Sequence, residues 1–275
     1  MRDSKYQPNS IRRIFLQGAL LAPTSLSFSH RLVAQTTKAF PRPDPSKLQA
    51  GDFVWPKKPG AYVPYNSGSK NNTAEDRNLW AEEKEAYLSA TAATGGRDAL
   101  TVQRMKILQQ MDYREFIAVY AGAQAPGQPG VYSGGAVYVG HVGMIDIDST
   151  GEPWVIEALL KQGVVRSRYD AWLAGRAGET VWLGRLRNFT AELRAEIPRF
   201  GKRFIGSPYD FWNFDLDDDS GFYCSKLAWL CCNRTLHMAV DGDPNTKRLL
   251  WFSPKQFLYQ KTIEIIHDPG PYAYS

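Results

Sequence analysis

The sequence has few of the residues that build disulfide frameworks and metal centres. Its 275 residues include 3 cysteines and 4 histidines. Two of the cysteines, Cys231 and Cys232, are neighbours, and a bridge between neighbours closes a strained ring. Because the cysteine count is odd, at least one thiol stays unpaired within the chain. The spacing of Cys224, Cys231 and Cys232 is also poor for zinc, although His237 follows shortly after them.

The chain also lacks a strong excess of one charge and a long hydrophobic run. The 33 Lys and Arg residues outnumber the 28 Asp and Glu residues only slightly, for a net charge of +5. The basic residues are scattered rather than gathered in a stripe with aromatics, which disfavours nucleic-acid binding. The apolar stretch from Ile14 to about Leu26 is too short to span a bilayer comfortably. Ordinary apolar and abundant aromatic content predicts a globular protein.

The N-terminus has the three parts of a secretory signal. Arg12 and Arg13 precede the apolar stretch that begins at Ile14, and small residues follow it. The arginine pair with the Ile-Phe-Leu run resembles a twin-arginine export signal. We therefore expect residues 1–35 to engage the twin-arginine export machinery and the mature chain to begin near Gln35. The protein would then be periplasmic or secreted, or anchored to a membrane if the signal is retained.

The rest of the chain is predicted to be a Pro-rich linker over 36–47 and a single domain over 48–275. Helices are expected first, over Asp76–Ala93 and Ala99–Ala121, and again from Thr190 and from Cys224, with Pro198 kinking or splitting the third. Strands are expected between them, over 136–147, 153–160 and 180–187, with a strand and a short helix over 163–173, after a short strand at 53–55. This order predicts an α+β fold in which helices pack on an antiparallel sheet.

Cys224 is placed where a thiol becomes reactive. The preceding run "DDDSGFY" cannot be regular helix, whereas "CSKLAWLCCNRTLH" has the apolar spacing of an amphipathic helix. Unpaired N–H groups and the helix dipole at a helix start stabilise a thiolate and lower the thiol pKa from about 8.5. Cys224 is therefore a candidate nucleophile, while Cys231 and Cys232 are expected to pack as small apolar groups.

One histidine is placed to serve that thiol as a general base. His30 lies in the predicted signal, and His237 and His267 lie near polar helix or chain ends without a partner pattern. His141 falls within the apolar run "VYVGHVGMIDI", expected to be a strand, where a histidine is also compatible with a simple core position. Glu157, surrounded by apolar residues in "WVIEALL", favours the catalytic interpretation because a buried carboxylate can orient an imidazole.

The two strands that carry His141 and Glu157 are expected to form a hairpin. Counting residues through its loop predicts which face of the hairpin Glu157 occupies. If 149–151 form a three-residue loop with Gly151 in the left-handed conformation, Asp148 pairs with Glu152. Glu157 then lies opposite Gly143, on the face of His141 and diagonal to it. A two- or four-residue loop would place Glu157 on the other face. A catalytic pair therefore requires an odd or bulged turn.

Four sequence runs resemble the circularly permuted NlpC-like papain-fold hydrolases of the YiiX/YebB-like group. They are "LQAGDFVWP", "GHVGMIDI", "PWVIEAL" and "SPYDFWNFDLDDDSGFYCSKLAW". The residues that carry the resemblance, within 48–235, are Gly51, Asp52, His141, Glu157, Tyr223, Cys224 and Ser225. The resemblance implies a permuted papain-like fold of the NlpC type, and the helical insertion at about 73–121 departs from it.

The resemblance also implies roles for the site residues. Cys224 would be the nucleophile, His141 the base and Glu157 the orienting residue, with Tyr223 lining the substrate site and no cofactor. The implied reaction is hydrolysis of an amide or peptide bond, with cell-wall peptides as substrate class.

Two alternatives stay open. The same thiol–His architecture resembles lecithin:retinol acyltransferase-like enzymes, which implies lipid acyl hydrolysis or transfer, and the fold could also be a binding module without catalysis. A polar groove would favour wall peptides, and apolar helices around the cleft would favour lipids. Two alternating acidic runs, at 215–219 and 241–245, lack the glycine and glutamate of a calcium loop and are expected to be solvated loops.

Overall fold

The structure, a computed structural model, describes residues 41–57, 65, 74–96, 98–120 and 140–269. These residues belong to one compact unit. No helix among them is long and apolar enough to cross a membrane. The predicted export signal over 1–35 lies outside the described residues, as does the first part of the predicted linker. The limits of the predicted domain, 48–275, stay a prediction.

In the described part of the chain, six strands form one antiparallel sheet. The strands are β1 (Phe53–Lys57), β2 (Gly143–Ile147), β3 (Pro153–Leu159), β4 (Gly163–Arg168), β5 (Thr180–Leu186) and β6 (Ile263–His267). Their spatial order is β4-β3-β2-β1-β5-β6, so β2 and β1 lie in the middle. Every pairing is antiparallel, as the sequence predicts.

Within the described ranges, the α-helices all lie between β1 and β6 in sequence. The α-helices are α1 (Ala74–Ala93), α2 (Ala99–Gln110), α3 (Tyr113–Tyr120), α4 (Tyr169–Ala174), α5 (Ala191–Gly201), α6 (Cys224–Leu236) and α7 (Pro254–Leu258). Short 3-10 helices cover Pro45–Lys47 and Lys202–Phe204. Helices α1 to α3 form the helical insertion, between β1 and β2.

Both faces of the sheet are covered because successive side chains of a strand point to opposite sides. Phe53 and Trp55 join the larger core, which also contains the buried side chains of α5 and α6. Val54, between them, joins a smaller core with Tyr169 and Trp172 of α4. The predicted α+β class, an antiparallel sheet packed by helices with a helical insertion, is confirmed.

The hairpin between β2 and β3 has the predicted register and turn. Met144 pairs with Ile156, and the Asp148 N–H donates to the Glu152 carbonyl at 3.0 Å. Gly151 has a φ of 86°, which is the left-handed conformation that closes a three-residue loop. The odd turn is therefore confirmed, and it gives Glu157 the orientation that the site requires.

The strand predicted over 136–147 is shorter than expected. In the structure β2 begins at Gly143, and His141 lies in the irregular segment just before it. Gly140, His141 and Val142 have no strand structure, and the Val142 N–H is among the groups that lower the pKa of the Cys224 thiol. The prediction that His141 lies within a strand is therefore wrong, and 136–139 lie outside the described residues.

The helix predicted over Ala99–Ala121 is two helices. A capping box interrupts it: the Asp112 carboxylate accepts from the Glu115 N–H at 2.7 Å, and the Glu115 carboxylate accepts from the Asp112 N–H at 3.0 Å. Asp112 therefore starts α3 as a new helix. Ala121 lies outside the described residues.

The insertion docks on the segments that flank α6. Phe116 of α3 makes edge contacts with Phe211 and Trp251, at ring distances of 5.7 Å and 5.3 Å. Arg104 of α2 donates to the Leu249 carbonyl at 3.0 Å. Aromatic contacts of this kind add to the free energy of apolar burial. They place the last turn of α3, with Tyr120, next to the start of α6.

The Gly-Asp pair before β1 has a packing role. Helix α5 continues through Pro198, so of the two outcomes predicted for this proline, a kink or a split, the split is excluded. The ring nitrogen of Pro198 cannot bond the carbonyl of Arg194, so that carbonyl receives no helical hydrogen bond from residue 198. Gly51 packs on that carbonyl with a φ of 83°, and a Cβ at Gly51 would lie 2.2 Å from the oxygen. The Gly51 N–H donates to the Ile145 carbonyl at 2.9 Å, which joins the start of β1 to β2.

Candidate active site

Cys224 is the first residue of α6. The preceding residue, Tyr223, is extended, with φ −102° and ψ 165°, and its side chain makes no capping bond. The first N–H groups of the helix therefore have no side-chain cap and lie beside the thiol, at the positive end of the helix dipole. Cys224 is only 3% exposed. The helix start predicted from the sequence is confirmed.

The residues on either side of Cys224 hold this helix start in place. The Tyr223 hydroxyl accepts a hydrogen bond from the Phe252 N–H at 3.2 Å, and the Ser225 hydroxyl donates to the Phe252 carbonyl. Tyr223 and Ser225 are fully buried. These contacts give Tyr223 a positioning role, and its predicted contact with substrate gains no support from them and stays a prediction.

Cys224 and His141 shift each other's pKa in opposite directions. Burial would raise the pKa of the thiol, but the charge and hydrogen bond of His141 outweigh it and lower that pKa. Burial would lower the pKa of the imidazole, yet Cys224 and then Glu157 raise it to about 9. Both shifts favour the pair of a thiolate and an imidazolium. Since Nε2 of His141 bonds Glu157, Nδ1 is the nitrogen left for the thiol.

Glu157 holds the imidazole and is itself held by two other donors. Its Oε2 lies 2.7 Å from His141 Nε2, and it accepts from Trp172 Nε1 at 2.9 Å and Arg176 Nη2 at 3.0 Å. Burial would raise the pKa of Glu157, but His141 first, then Arg176 and Trp172, lower it. The carboxylate therefore stays ionised although it is only 2% exposed.

The three side chains meet at the end of the sheet rather than on one face. Glu157 alternates with Ile156 along β3, so it points to the α4 side, where it meets Trp172. Cys224 belongs to the core on the α5 and α6 side. His141 lies in the irregular segment just before β2, and its ring reaches both partners.

Several residues around the site were not predicted. Trp172 and Arg176 are four positions apart around α4, and the Arg176 guanidinium stacks on the Trp172 ring at 4.2 Å. That spacing was the local signal for a shared partner. Tyr120 has its hydroxyl 3.9 Å from the sulfur of Cys224, and the Gly140 carbonyl lies at the same distance. No sequence pattern relates Tyr120 to Cys224.

A cavity of about 770 Å³ lies between α1, the turn that joins β3 to β4 and the segment before α6. Its lining mixes charged and aromatic side chains, among them Glu83, Lys161, Asp210, Tyr87, Tyr209 and Trp212. Tyr209, in this wall, pairs with Phe222, two residues before Cys224. Burial first, and then the charge of Cys224, raise the pKa of Tyr209. Phe211 and Trp212 line the cavity, and Phe214 is buried in the larger core.

The other cysteines and the acidic runs have different surroundings. Cys231 and Cys232 are buried free thiols whose pKa values burial raises, as expected for packing residues. Asp241 accepts from Trp229 Nε1 at 3.0 Å and pairs with Arg248 at 2.9 Å. Among the described residues, no group of three or more His, Cys, Asp or Glu side chains could hold a metal ion.

A cysteine at a helix start, beside a histidine and a carboxylate at the end of an antiparallel sheet, is the arrangement of a papain-like fold. The family described as "Permuted papain-like amidase enzyme, YaeF/YiiX, C92 family" matches residues 128–265, about half of the chain. This chain belongs to that family, so the predicted permuted papain-like fold is confirmed.

Two relatives are similar to parts of the chain. "Uncharacterized protein YiiX" of Escherichia coli (strain K12) is 31% identical over 117 residues, which cover 42% of this chain and 55% of that protein. The match thus spans about half the length of the relative. A crystal structure of "metalloprotein yiiX" from Escherichia coli O157:H7 aligns with a TM-score of 0.43 and 15% identity, over 80% of this chain and 96% of that one.

Proposed function

We propose that this protein is an exported cysteine hydrolase that cleaves amide or peptide bonds through Cys224, His141 and Glu157. The observation that carries the proposal is the continuous contact from the thiol through the imidazole to a carboxylate 2.7 Å from it, in a member of a papain-like amidase family. The three residues are each less than a tenth exposed, which excludes water from their mutual contacts.

The first half of the reaction forms an acyl-enzyme. The Cys224 thiolate attacks the carbonyl carbon of the scissile amide, and the backbone N–H of Cys224 stabilises the negative charge on the carbonyl oxygen. The tetrahedral intermediate collapses as the C–N bond breaks, and the His141 imidazolium gives its proton to the leaving amine. A thioester on Cys224 and a neutral His141 remain.

The second half releases the acid. Neutral His141 takes a proton from water, and the resulting hydroxide attacks the thioester carbon. The C–S bond then breaks and leaves the carboxylic acid, with the thiolate and the imidazolium regenerated. Glu157 stabilises the imidazolium and keeps Nδ1 directed at the sulfur throughout.

The cavity next to Tyr209 favours peptides over lipid chains. Glu83, Asp210 and Lys161 contribute charged groups to its walls, and the aromatic rings between them are amphipathic. Apolar side chains form the larger part of the lining, and peptides carry amides, amines and carboxylates that the charged groups among them can bind. We therefore propose cell-wall peptides as the substrate class.

One incubation tests both the reaction and the substrate class. Purified protein without residues 1–34 is mixed with muropeptides or with phospholipid vesicles, and products and adducts on Cys224 are identified by mass spectrometry. Cleaved muropeptides, absent with Cys224→Ala, would support the proposal. A lipid-derived acyl group on Cys224 would instead assign the site to lipid acyl chemistry.

A binding module without catalysis is distinguished by the reactivity of the thiol. If iodoacetamide at neutral pH alkylates Cys224 no faster than a free thiol such as glutathione, the thiolate that the mechanism requires is absent. The amount of amine released from muropeptides, measured with a fluorogenic amine reagent, would then also be the same for the unsubstituted protein and Cys224→Ala.

The export route is proposed from Arg12 and Arg13. Replacing both with lysine should retain the full-length protein in the cytoplasm of a host with a twin-arginine system, while the unsubstituted chain reaches the periplasm with an N-terminus near Gln35. Equal export of both proteins would contradict this route.

A further inference from the structure

Tyr120, from the helical insertion, has its hydroxyl at the candidate nucleophile. The oxygen lies 3.9 Å from the sulfur of Cys224, and Tyr120 is only 1% exposed. Burial first, and then the charge of Cys224, raise the pKa of this phenol, so the hydroxyl stays protonated and able to donate. Its hydrogen bond is the last of the contributions that lower the pKa of Cys224, and the mechanism above gives this buried donor no further task.

The ring of Tyr120 is held so that its hydroxyl has little freedom. It stacks on Phe116 at 6.0 Å and makes edge contacts with Phe211 at 5.3 Å and Trp251 at 6.4 Å. The rings that dock the insertion on the flanks of α6 are therefore the same rings that hold Tyr120 beside the sulfur. A donor fixed in advance stabilises a developing charge without reorganisation.

We infer that the Tyr120 hydroxyl is the second donor of the oxyanion hole, opposite the backbone N–H of Cys224. When the thiolate bonds to a carbonyl carbon, the oxygen that becomes negative is two bonds from the sulfur, within reach of a hydroxyl that already contacts the sulfur. The inference rests on the proposed function, because it requires acyl transfer to Cys224. It gives the helical insertion a catalytic residue in addition to its part in the cavity wall.

Two reagents separate this role from stabilisation of the thiolate. p-Nitrophenyl acetate acetylates a thiol through a tetrahedral oxyanion, with p-nitrophenolate as the leaving group. Iodoacetamide alkylates the same thiol by displacing iodide from a saturated carbon, and no charge develops on an oxyanion. Rates with both reagents are measured for the unsubstituted protein and Tyr120→Phe, with Cys224→Ala as background.

For Tyr120→Phe we expect acetylation of Cys224 to slow by about 100-fold, the usual effect of removing one oxyanion donor, and alkylation to change by less than about threefold. The matched control is Tyr113→Phe, which removes a hydroxyl of the same helix that donates to the Tyr65 carbonyl at 2.8 Å. It should leave both rates unchanged. Thermal unfolding shows whether Tyr120→Phe is folded, and Tyr120→Met takes its place if it is not.

The other outcomes overturn the inference in distinguishable ways. Unchanged acetylation means that Tyr120 does not contact the oxyanion. A parallel fall of both rates, with an alkylation pH profile shifted upward, means that Tyr120 stabilises the thiolate instead. No acetyl group on Cys224 in the unsubstituted protein would overturn the proposed function and this inference together.

Discussion

His141 and Glu157 are joined by a contact of 2.7 Å between Nε2 and Oε2, although one lies before β2 and the other near the end of β3. Both are almost fully buried. The contact uses one ring nitrogen of His141 and so directs the other toward Cys224. The orientation of the candidate base is thus decided by a residue on the neighbouring strand.

Glu157→Gln should impair the reaction without removing the side chain. The amide cannot stabilise the imidazolium, and it favours the wrong tautomer when its N–H₂ group faces His141. We expect kcat to fall by roughly two to four orders of magnitude. Steady-state hydrolysis measures the effect, with Glu152→Gln as control, since Glu152 is exposed on the same hairpin and pairs only with Arg168 there. A Glu157→Gln enzyme with normal kcat would contradict the orienting role.

The rate of the reaction should have a bell-shaped dependence on pH. As pH rises through about 9, His141 loses the proton that the leaving amine requires. As pH falls through the lowered pKa of Cys224, the thiolate is protonated and the nucleophile is lost. kcat/KM measured across the range should therefore be highest between these limits. In Glu157→Gln the alkaline limit should move to lower pH, because Glu157 contributes to the raised pKa of His141. A limit that stays near pH 9 in that variant would exclude this contribution.

Trp172→Phe should show how far the hydrogen bond from Trp172 holds the Glu157 carboxylate in place. The change keeps the ring in the smaller core but removes the N–H that reaches Glu157 at 2.9 Å. We expect kcat to fall by about 10-fold and the free energy of unfolding by about 1 kcal/mol. Trp154→Phe is the matched control, because its N–H donates to Asp148 in the turn at 2.9 Å, away from the site. Equal kcat values for the two variants would show that the Trp172 hydrogen bond has no positioning role.

Gly51→Ala and Gly151→Ala should differ in stability for a steric reason. Both glycines have left-handed backbone, with φ values of 83° and 86°. A Cβ at Gly51 would lie 2.2 Å from the Arg194 carbonyl, whereas nothing lies within 4 Å of one at Gly151. We expect a loss of about 1 kcal/mol in unfolding free energy for Gly151→Ala and at least about 3 kcal/mol for Gly51→Ala. Urea denaturation of the two variants measures the difference, and equal losses would mean that Gly51 tolerates a side chain against α5.

Much of the local structure followed from the sequence. The Gly151 turn and the counted register predicted how β2 and β3 pair, because turn type and strand alternation are properties of neighbouring residues. The helix start at Cys224 was visible for the same reason. The strand around His141 was predicted too long, since an apolar run does not reveal that the Gly140 carbonyl contacts a sulfur more than eighty positions away.

The sequence by itself determined the candidate thiol, its helix start, the odd hairpin turn and the alternation that buries Glu157. Only the tertiary structure decided that His141 lies beyond the end of β2, between the two sides of the sheet. It also decided that Trp172 and Arg176 hold Glu157 and that Tyr120 faces Cys224. These contacts join residues far apart in the chain, and their geometry depends on how helices dock on the sheet rather than on local backbone preference.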